Sequence, residues 1–280
     1  MSTPTSSLFE LTDRVALITG GAGLLGREYA EALASAGAHV VLADLHGEAA
    51  KAVAEQLTQK GFPRALGIQA DVAEKESVQR MIQQVMECFG RLDILINNAA
   101  LTVKGGTSDA EEYFAPVEEY PLSLWEKALA VNLTGTFLCC QEAAKPMLAQ
   151  GRGVIVNISS TYGVVGPDKR IYSRSRNPHD PSKKLNTPPS YSATKGAILS
   201  LTRYLAAYWA GKGIRVNALT PGGVYDGHDE EFVKSYSSRA ILGRMADRNE
   251  YQGAILFLSS DASSYMTGAN LIVDGGWTAW

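Results

Sequence analysis

Val15-Ala16-Leu17-Ile18-Thr19-Gly20-Gly21-Ala22-Gly23-Leu24-Leu25-Gly26 is the stretch on which the fold turns. Val15–Thr19 reads as a buried strand, because a short apolar run bounded by glycines suits a sheet covered on both faces. The glycine cluster then opens a helix that runs to about Ser35 and is closed by Gly37. Gly21, Gly23 and Gly26 fit G-x-G-x-x-G. The first glycine permits the tight turn, the second lets backbone approach a pyrophosphate, and the third lets helix pack on strand. A helix N-terminus offers free N–H groups and a partial positive charge to phosphates. Glycine-rich turns are common, but this one follows a strand, opens a helix and precedes an acid. Asp44 stands 18 residues after Gly26, where a carboxylate meets a ribose 2′-hydroxyl. Gly20, Gly21, Gly23, Leu24, Leu25 and Asp44 are thus expected to bind a dinucleotide. A carboxylate repels a 2′-phosphate, and Leu45 and His46 supply no Arg or Lys to receive one. NAD is expected in preference to NADP.

Working outward, apolar strands alternate with amphipathic helices. Strands are expected at Val40–Ala43 (ending at Asp44), Ala65–Asp71, Leu92–Ile96, Val154–Ile158, Ile214–Leu219 and Asn270–Val273. Helices are expected over Gly47–Lys60 before Gly61, Lys75–Phe89 before Gly90, Leu124–Gln150, Pro189–Lys212 and Tyr251–Leu258. This alternation argues for βαβ units with right-handed crossovers. The expected class is α/β: a doubly wound Rossmann fold with a seven-stranded parallel sheet and helices on both faces. No linker or fixed-period repeat divides the chain, so residues 1–280 read as a single dinucleotide-binding and catalytic domain. Two stretches break the rhythm: the polar connection Leu101–Pro121 and the irregular Pro167–Ser190.

Composition excludes other classes. The 280 residues are 45% hydrophobic and 20% charged, an ordinary globular balance. The net charge of −3 speaks against a nucleic-acid partner. No apolar run reaches the ~18–20 residues of a membrane span. The N-terminus shows no basic segment followed by an apolar one, so no signal peptide is expected. Cys88, Cys139 and Cys140 give no even framework, and reduced core thiols in a cytoplasmic protein are expected. No metal is expected.

Tyr191-Ser192-Ala193-Thr194-Lys195 places Tyr and Lys four apart at the start of a helix, on one face. A free tyrosine titrates near ~10, too high for a base at neutral pH. An ammonium ~4 Å away at an effective dielectric of ~20 contributes ~4 kcal/mol, or about 3 pK units. That would bring the phenol close to working pH, where acid–base catalysis is efficient.

At this point the chain resembles the short-chain dehydrogenase/reductase family, single-domain branch, over essentially its full length. The matching residues are the Gly20–Gly26 loop, Asn97-Asn98-Ala99-Ala100, Asn132, Ser159-Ser160, Tyr191 with Lys195, Pro221-Gly222 and Asp274-Gly275-Gly276. The resemblance implies that Tyr191 is the general acid/base and that Lys195 holds the nicotinamide ribose and lowers the Tyr191 pKa. It implies that Ser160, three before Gly163, bonds the substrate oxygen, and that Asn132 holds a water in a proton relay with Lys195. Asn98, Ala99 and Ala100 would line the cofactor ribose side, and Asp71 with Val72 the adenine edge. Asp71 equally reads as the N-cap of the next helix. Pro221, Gly222, Gly223 and Val224 would wrap the nicotinamide amide. Three features depart from the branch. Thr19–Gly26 is similar to the T-G-x-x-G-x-x-G loop of the extended, sugar-nucleotide branch; Ala100 stands where Gly is usual; Tyr225 lies where a Thr often caps the amide.

Ser160 and Tyr191 are 31 residues apart, an interval the resemblance marks as carrying an insertion at about residues 165–190. There Lys169, Arg170, Arg174, Arg176, Lys183 and Lys184 face only Asp168 and Asp180, a local charge of +4. Arginine suits bidentate recognition of anions. Two readings stay open: Arg170, Arg174 and Arg176, with Ser160, Tyr162 and Gly223, meet an anionic substrate; or the loop is solvated or a subunit contact. The stretch Gly222–Arg239 would form a lid, with His228 a solvated loop residue. The function expected is NAD-dependent hydride transfer to or from a secondary alcohol/carbonyl of a sugar, sugar acid or related anionic polyol, in a homotetramer or dimer. The alternatives are a nucleotide-sugar epimerase or dehydratase, and a catalytically silent NAD-binding sensor.

Overall fold

β1 (Val15–Thr19) is buried along its whole length. Its alternate residues serve two cores, one on each face of the sheet. Val15 and Leu17 face one side, Ala16 and Ile18 the other. The computed structural model describes residues 4–101, 108–177 and 180–280. Part of the polar connection (102–107), two residues of the insertion (178–179) and the first three residues of the N-terminus lie outside it.

After β1 come α1 (Leu24–Ser35), β2 (His39–Asp44), α2 (Gly47–Gln59), β3 (Ala65–Gln69), α3 (Lys75–Phe89) and β4 (Ile94–Asn97). Short α4 (Ser108–Glu112) and α5 (Leu122–Ala128) follow, then a π-helical segment, Leu129–Thr134, running straight into α6 (Gly135–Gln150). β5 (Gly153–Ile158) leads to the insertion, whose β6 (Arg176–Asn177) and β7 (Asp180–Lys184) pair antiparallel. The chain closes with α7 (Pro189–Tyr208), β8 (Ile214–Pro221), α8 (Glu230–Ser237), α9 (Gln252–Ser259) and β9 (Asn270–Val273).

The main sheet has seven strands in the order β3-β2-β1-β4-β5-β8-β9, all parallel. One core packs strand residues against α3, α6 and α7 through Met81, Val85, Cys139, Ala143 and Leu205. The other packs them against α1, α2 and α9 through Tyr29, Leu33, Val53, Leu57 and Ile255. Cys139 and Cys140 are buried. A third cluster gathers Ile171 of the insertion, Phe232 and Tyr236 of α8, and Trp277 near the C-terminus. Among the described residues no helix is long and apolar enough to cross a membrane.

Strand order reverses between β1 and β4, so the crevice of a doubly wound sheet opens there, at the carboxyl ends of the strands. Several expected boundaries move. β3 stops at Gln69, because Asp71 already turns the chain with its carboxylate on the Ala73 N–H. β4 starts at Ile94 rather than Leu92, whose N–H is taken by the Gln150 side chain. α7 ends at Tyr208 rather than Lys212. The continuous helix expected over Leu124–Gln150 is interrupted by the π segment, which no hydrophobic period reveals. The irregular stretch expected at Pro167–Ser190 contains a small hairpin.

Candidate active site

The glycine loop is fastened from two sides before any ligand is considered. The Gly21 N–H bonds the Ala43 carbonyl at the end of β2. Asn98, just beyond β4, donates its side-chain amide to the carbonyls of Thr19 and Gly20, each at 3.0 Å. The Thr19 hydroxyl accepts the N–H groups of Asn98 and Ala99. Gly26 is required by contact: a Cβ there would lie 2.3 Å from the Gly20 carbonyl oxygen. Gly23 is the N-cap of α1 and carries no capping side chain, so the first N–H groups of the helix, at Leu24 and Leu25, are left for an anion. The residues present therefore fit the pyrophosphate of a nicotinamide dinucleotide.

Asp44 ends β2 with its carboxylate held by the Ala22 N–H at 3.1 Å and the His46 N–H at 3.0 Å. Leu45 beside it is exposed. The Asp71 carboxylate bonds the Ala73 N–H at 2.9 Å, while the N-cap of α3 is Glu74. Asp71 thus braces a turn and does not cap the helix. Val72 packs against Gly135 at the start of α6. Ala99 and Ala100 lie half-buried beside the loop.

Beyond β8, the Gly222 N–H bonds the Val273 carbonyl and the Gly223 N–H bonds the Tyr236 hydroxyl. The Gly223 carbonyl and Tyr225 N–H pair with Ala246. These bonds spend most of the backbone groups expected to wrap the amide. Among the described residues the Val224 N–H carries no such bond, which leaves Val224 the donor of this turn.

Ser160, Tyr191 and Lys195 converge at the carboxyl end of β5. The Ser160 hydroxyl accepts the Tyr162 N–H at 3.2 Å and lies near enough to the Tyr191 phenol to act to lower its pKa. The adjacent serine is occupied differently: the Ser159 hydroxyl donates to the Lys195 carbonyl at 2.8 Å, which tethers β5 to α7. Gly163 makes this close approach possible, since a Cβ there would stand 2.6 Å from the Lys195 backbone. The Lys195 ammonium donates to the Ile158 carbonyl at 2.8 Å and lies 5.8 Å from the centre of the Tyr191 ring.

The electrostatics differ from the sequence expectation. Burial is the dominant influence on Tyr191 and raises its pKa, with the Ser160 hydrogen bond opposing. The expected lowering by the Lys195 ammonium is not among the influences on the phenol. Burial acts on the lysine as well and brings it down to about 8. Desolvation disfavours the charged form of each, so the phenol rises and the ammonium falls.

Asn132 is buried in the π segment, the irregularity that often marks functional positions. Its side-chain oxygen accepts the Leu101 N–H at 2.7 Å and its amide donates to the Thr194 hydroxyl at 3.1 Å. Each end of the side chain thus holds a neighbour, and its backbone carbonyl accepts the Thr136 hydroxyl.

The insertion and the α8 segment interlock. Arg170 makes a two-pronged bond to Asp168, and Arg239 approaches the same carboxylate at 3.2 Å. Arg170 holds the Asp168 carboxyl down to about 2. Arg174 pairs with Glu231 of α8 at 3.3 Å, and Arg176 is exposed on β6. His228 stacks on Phe232 in the exposed loop before α8. Among the described residues no group of three or more His, Cys, Asp or Glu is placed to hold a metal ion.

A profile described as short chain dehydrogenase matches residues 14–176. The chain belongs to the short-chain dehydrogenase family. A second profile, described as Enoyl-(Acyl carrier protein) reductase, matches residues 182–278. Among curated short-chain dehydrogenases, a D-threitol dehydrogenase from Mycolicibacterium smegmatis is 36% identical, over 96% of this chain and 95% of its own. An NAD-dependent glycerol dehydrogenase from Listeria innocua is 33% identical, over 96% of each. Among solved structures, a gluconate 5-dehydrogenase from Burkholderia cenocepacia in complex with NADP and tartrate superimposes with a TM-score of 0.84, at 32% identity over 98% of both chains. As a short-chain dehydrogenase, the chain acts on alcohol or carbonyl groups of a small molecule with a nicotinamide cofactor.

Sequence reasoning missed the π segment around Asn132, the double engagement of its side chain, and Tyr172. Tyr172 lies in the insertion with its hydroxyl 2.5 Å from that of Tyr162. The one sequence signal for Tyr172 was its place in Pro167-Asp168-x-x-Ile171-Tyr172.

Proposed function

We propose that this chain is an NAD-dependent dehydrogenase that oxidises a secondary alcohol of a polyol, sugar or sugar acid, with nucleotide binding and catalysis in one domain. The observation that carries the reading is the convergence of Ser160, Tyr191 and Lys195 at the carboxyl end of β5, on the same edge of the sheet as the uncapped start of α1. In the oxidative direction the substrate hydroxyl proton passes to an ionised Tyr191 oxygen while the Ser160 hydroxyl holds the substrate oxygen. A nicotinamide held there would supply the acceptor for the hydride leaving the carbon that bears this hydroxyl. Lys195 orients the nicotinamide ribose. Asn132 is the residue that would hold the relay water.

Asp44, with no cation at Leu45 or His46, supports NAD over NADP, since the carboxylate accepts ribose hydroxyls and repels a phosphate. The names of the polyol dehydrogenases above support the substrate class. Arg170 and Arg174 are engaged by carboxylates of the chain itself, which supports recognition of neutral polyols as much as of sugar acids. The test is Tyr191→Phe. Turnover is expected to fall at least ~100-fold, the scale of a lost general acid/base, with NADH affinity unchanged. Near-normal turnover would sink the assignment. Absence of net NADH formation by the native enzyme on any alcohol would favour a cofactor-recycling epimerase.

A further inference from the structure

The insertion brings a second phenol to the active site. Tyr162 lies two residues beyond Ser160, in the turn Thr161–Gly163, with its N–H on the Ser160 oxygen. Its hydroxyl meets that of Tyr172 at 2.5 Å. Tyr172 follows buried Ile171 and packs its ring on Phe232 of α8, 5.5 Å between centres. Phe232 lies in turn against Tyr236, which stacks on Trp277 at 4.3 Å. The Tyr172 ring is therefore set by the α8–Trp277 cluster and not by the loop that carries it. Arg174 and Asp168, either side of it, reach Glu231 and Arg239.

We propose that Tyr172 and Tyr162 form a hydroxyl pair that selects substrates carrying a second hydroxyl on the carbon next to the one oxidised. The proposal rests on the dehydrogenase reading above and names its substrate class more closely. Each phenol brings one proton and acceptor capacity. A linked pair uses one proton internally and keeps the other to donate. Burial raises both of their pKa values, so the pair stays neutral and reads a hydroxyl through hydrogen bonds and not through charge. A site built to bond a substrate hydroxyl disfavours the analogue that lacks it, because its own polar groups are then left unpaired.

The experiment compares a vicinal butanediol with sec-butanol as substrates, with NAD, in the native enzyme, Tyr172→Phe and Tyr162→Phe. Both variants keep the ring and its packing, and NADH affinity and thermal stability verify the fold. The native enzyme is expected to favour the diol at least about tenfold in kcat/KM, the worth of one good hydrogen bond. Tyr172→Phe should erase most of that preference, mainly through the KM of the diol, and leave sec-butanol unchanged. A preference that survives the variant overturns the proposal. So does an equal fall for both substrates, which would mean that the phenol only packs. If the native enzyme binds NADH yet oxidises neither alcohol and reduces neither ketone, the dehydrogenase reading itself fails, and the inference with it.

Discussion

Replacing Lys195 by Met tests the electrostatics of the site without relying on a substrate. Lys195 is buried in the fold and titrates at about 8, against ~10.4 in an unfolded chain. Between these values the unfolded protein binds a proton that the folded protein has released. Stability therefore rises with pH across that window, and the cost of the buried ammonium is fully present below it. One pK unit is worth ~1.36 kcal/mol, so the whole window amounts to about 3 kcal/mol, of which about 2 kcal/mol falls between roughly pH 7 and pH 9.5. All other titrating groups are common to both proteins and cancel in the difference. Urea unfolding of native protein and Lys195→Met at these two pH values should show the native protein gaining about 2 kcal/mol on the variant. In thermal unfolding the gain should appear as about 4 °C for a chain of this size. A gap that stays flat across the range would show that the ammonium is not desolvated as the structure has it. A gap that shrinks would reverse the sign of the argument.

Gly26→Ala forces a Cβ to within 2.3 Å of the Gly20 carbonyl. It should cost about 2 kcal/mol or more and weaken NADH binding, measured by thermal unfolding and by NADH fluorescence; an unchanged melting temperature would contradict the loop geometry. The double variant Asp44→Ala, Leu45→Arg removes the carboxylate and adds a guanidinium where a 2′-phosphate would lie. The ratio of kcat/KM for NADP over NAD should rise at least about tenfold, and no rise would mean that Asp44 does not set the choice. Because burial raises the Tyr191 pKa, the phenol is the stable form at neutral pH. Alcohol oxidation needs the ionised form and should quicken as pH rises, while carbonyl reduction slows. Oxidation fastest in acid would refute Tyr191 as the base.

The central strands, the closing glycines and the acid after β2 were legible because each depends on a local period or a local contact. β1 and α3 fall at the residues expected for them, since uninterrupted apolar runs and a left-handed Gly90 are signals within one element. Ser160 and Ser159 could be told apart only by resemblance, because what separates them is tertiary: the Ser159 hydroxyl donates to the Lys195 carbonyl. The π segment escaped notice because a one-residue widening of a helix leaves its apolar face nearly unchanged. The hairpin escaped because its two strands are short and polar and carry no apolar alternation to mark them.

The sequence by itself determined a parallel α/β sheet and the order of its site residues along the chain. Strand periodicity, glycine geometry and helix termini act over a few residues and are written locally. Only the tertiary structure decided the charges and partners within the site. Burial depends on what packs from distant segments, so it alone could raise Tyr191 and lower Lys195, against the pairwise estimate from their spacing. Folding likewise gave Arg170 and Arg174 of the basic insertion partners in Asp168 and Glu231. By docking it on α8, folding carried Tyr172 beside Tyr162.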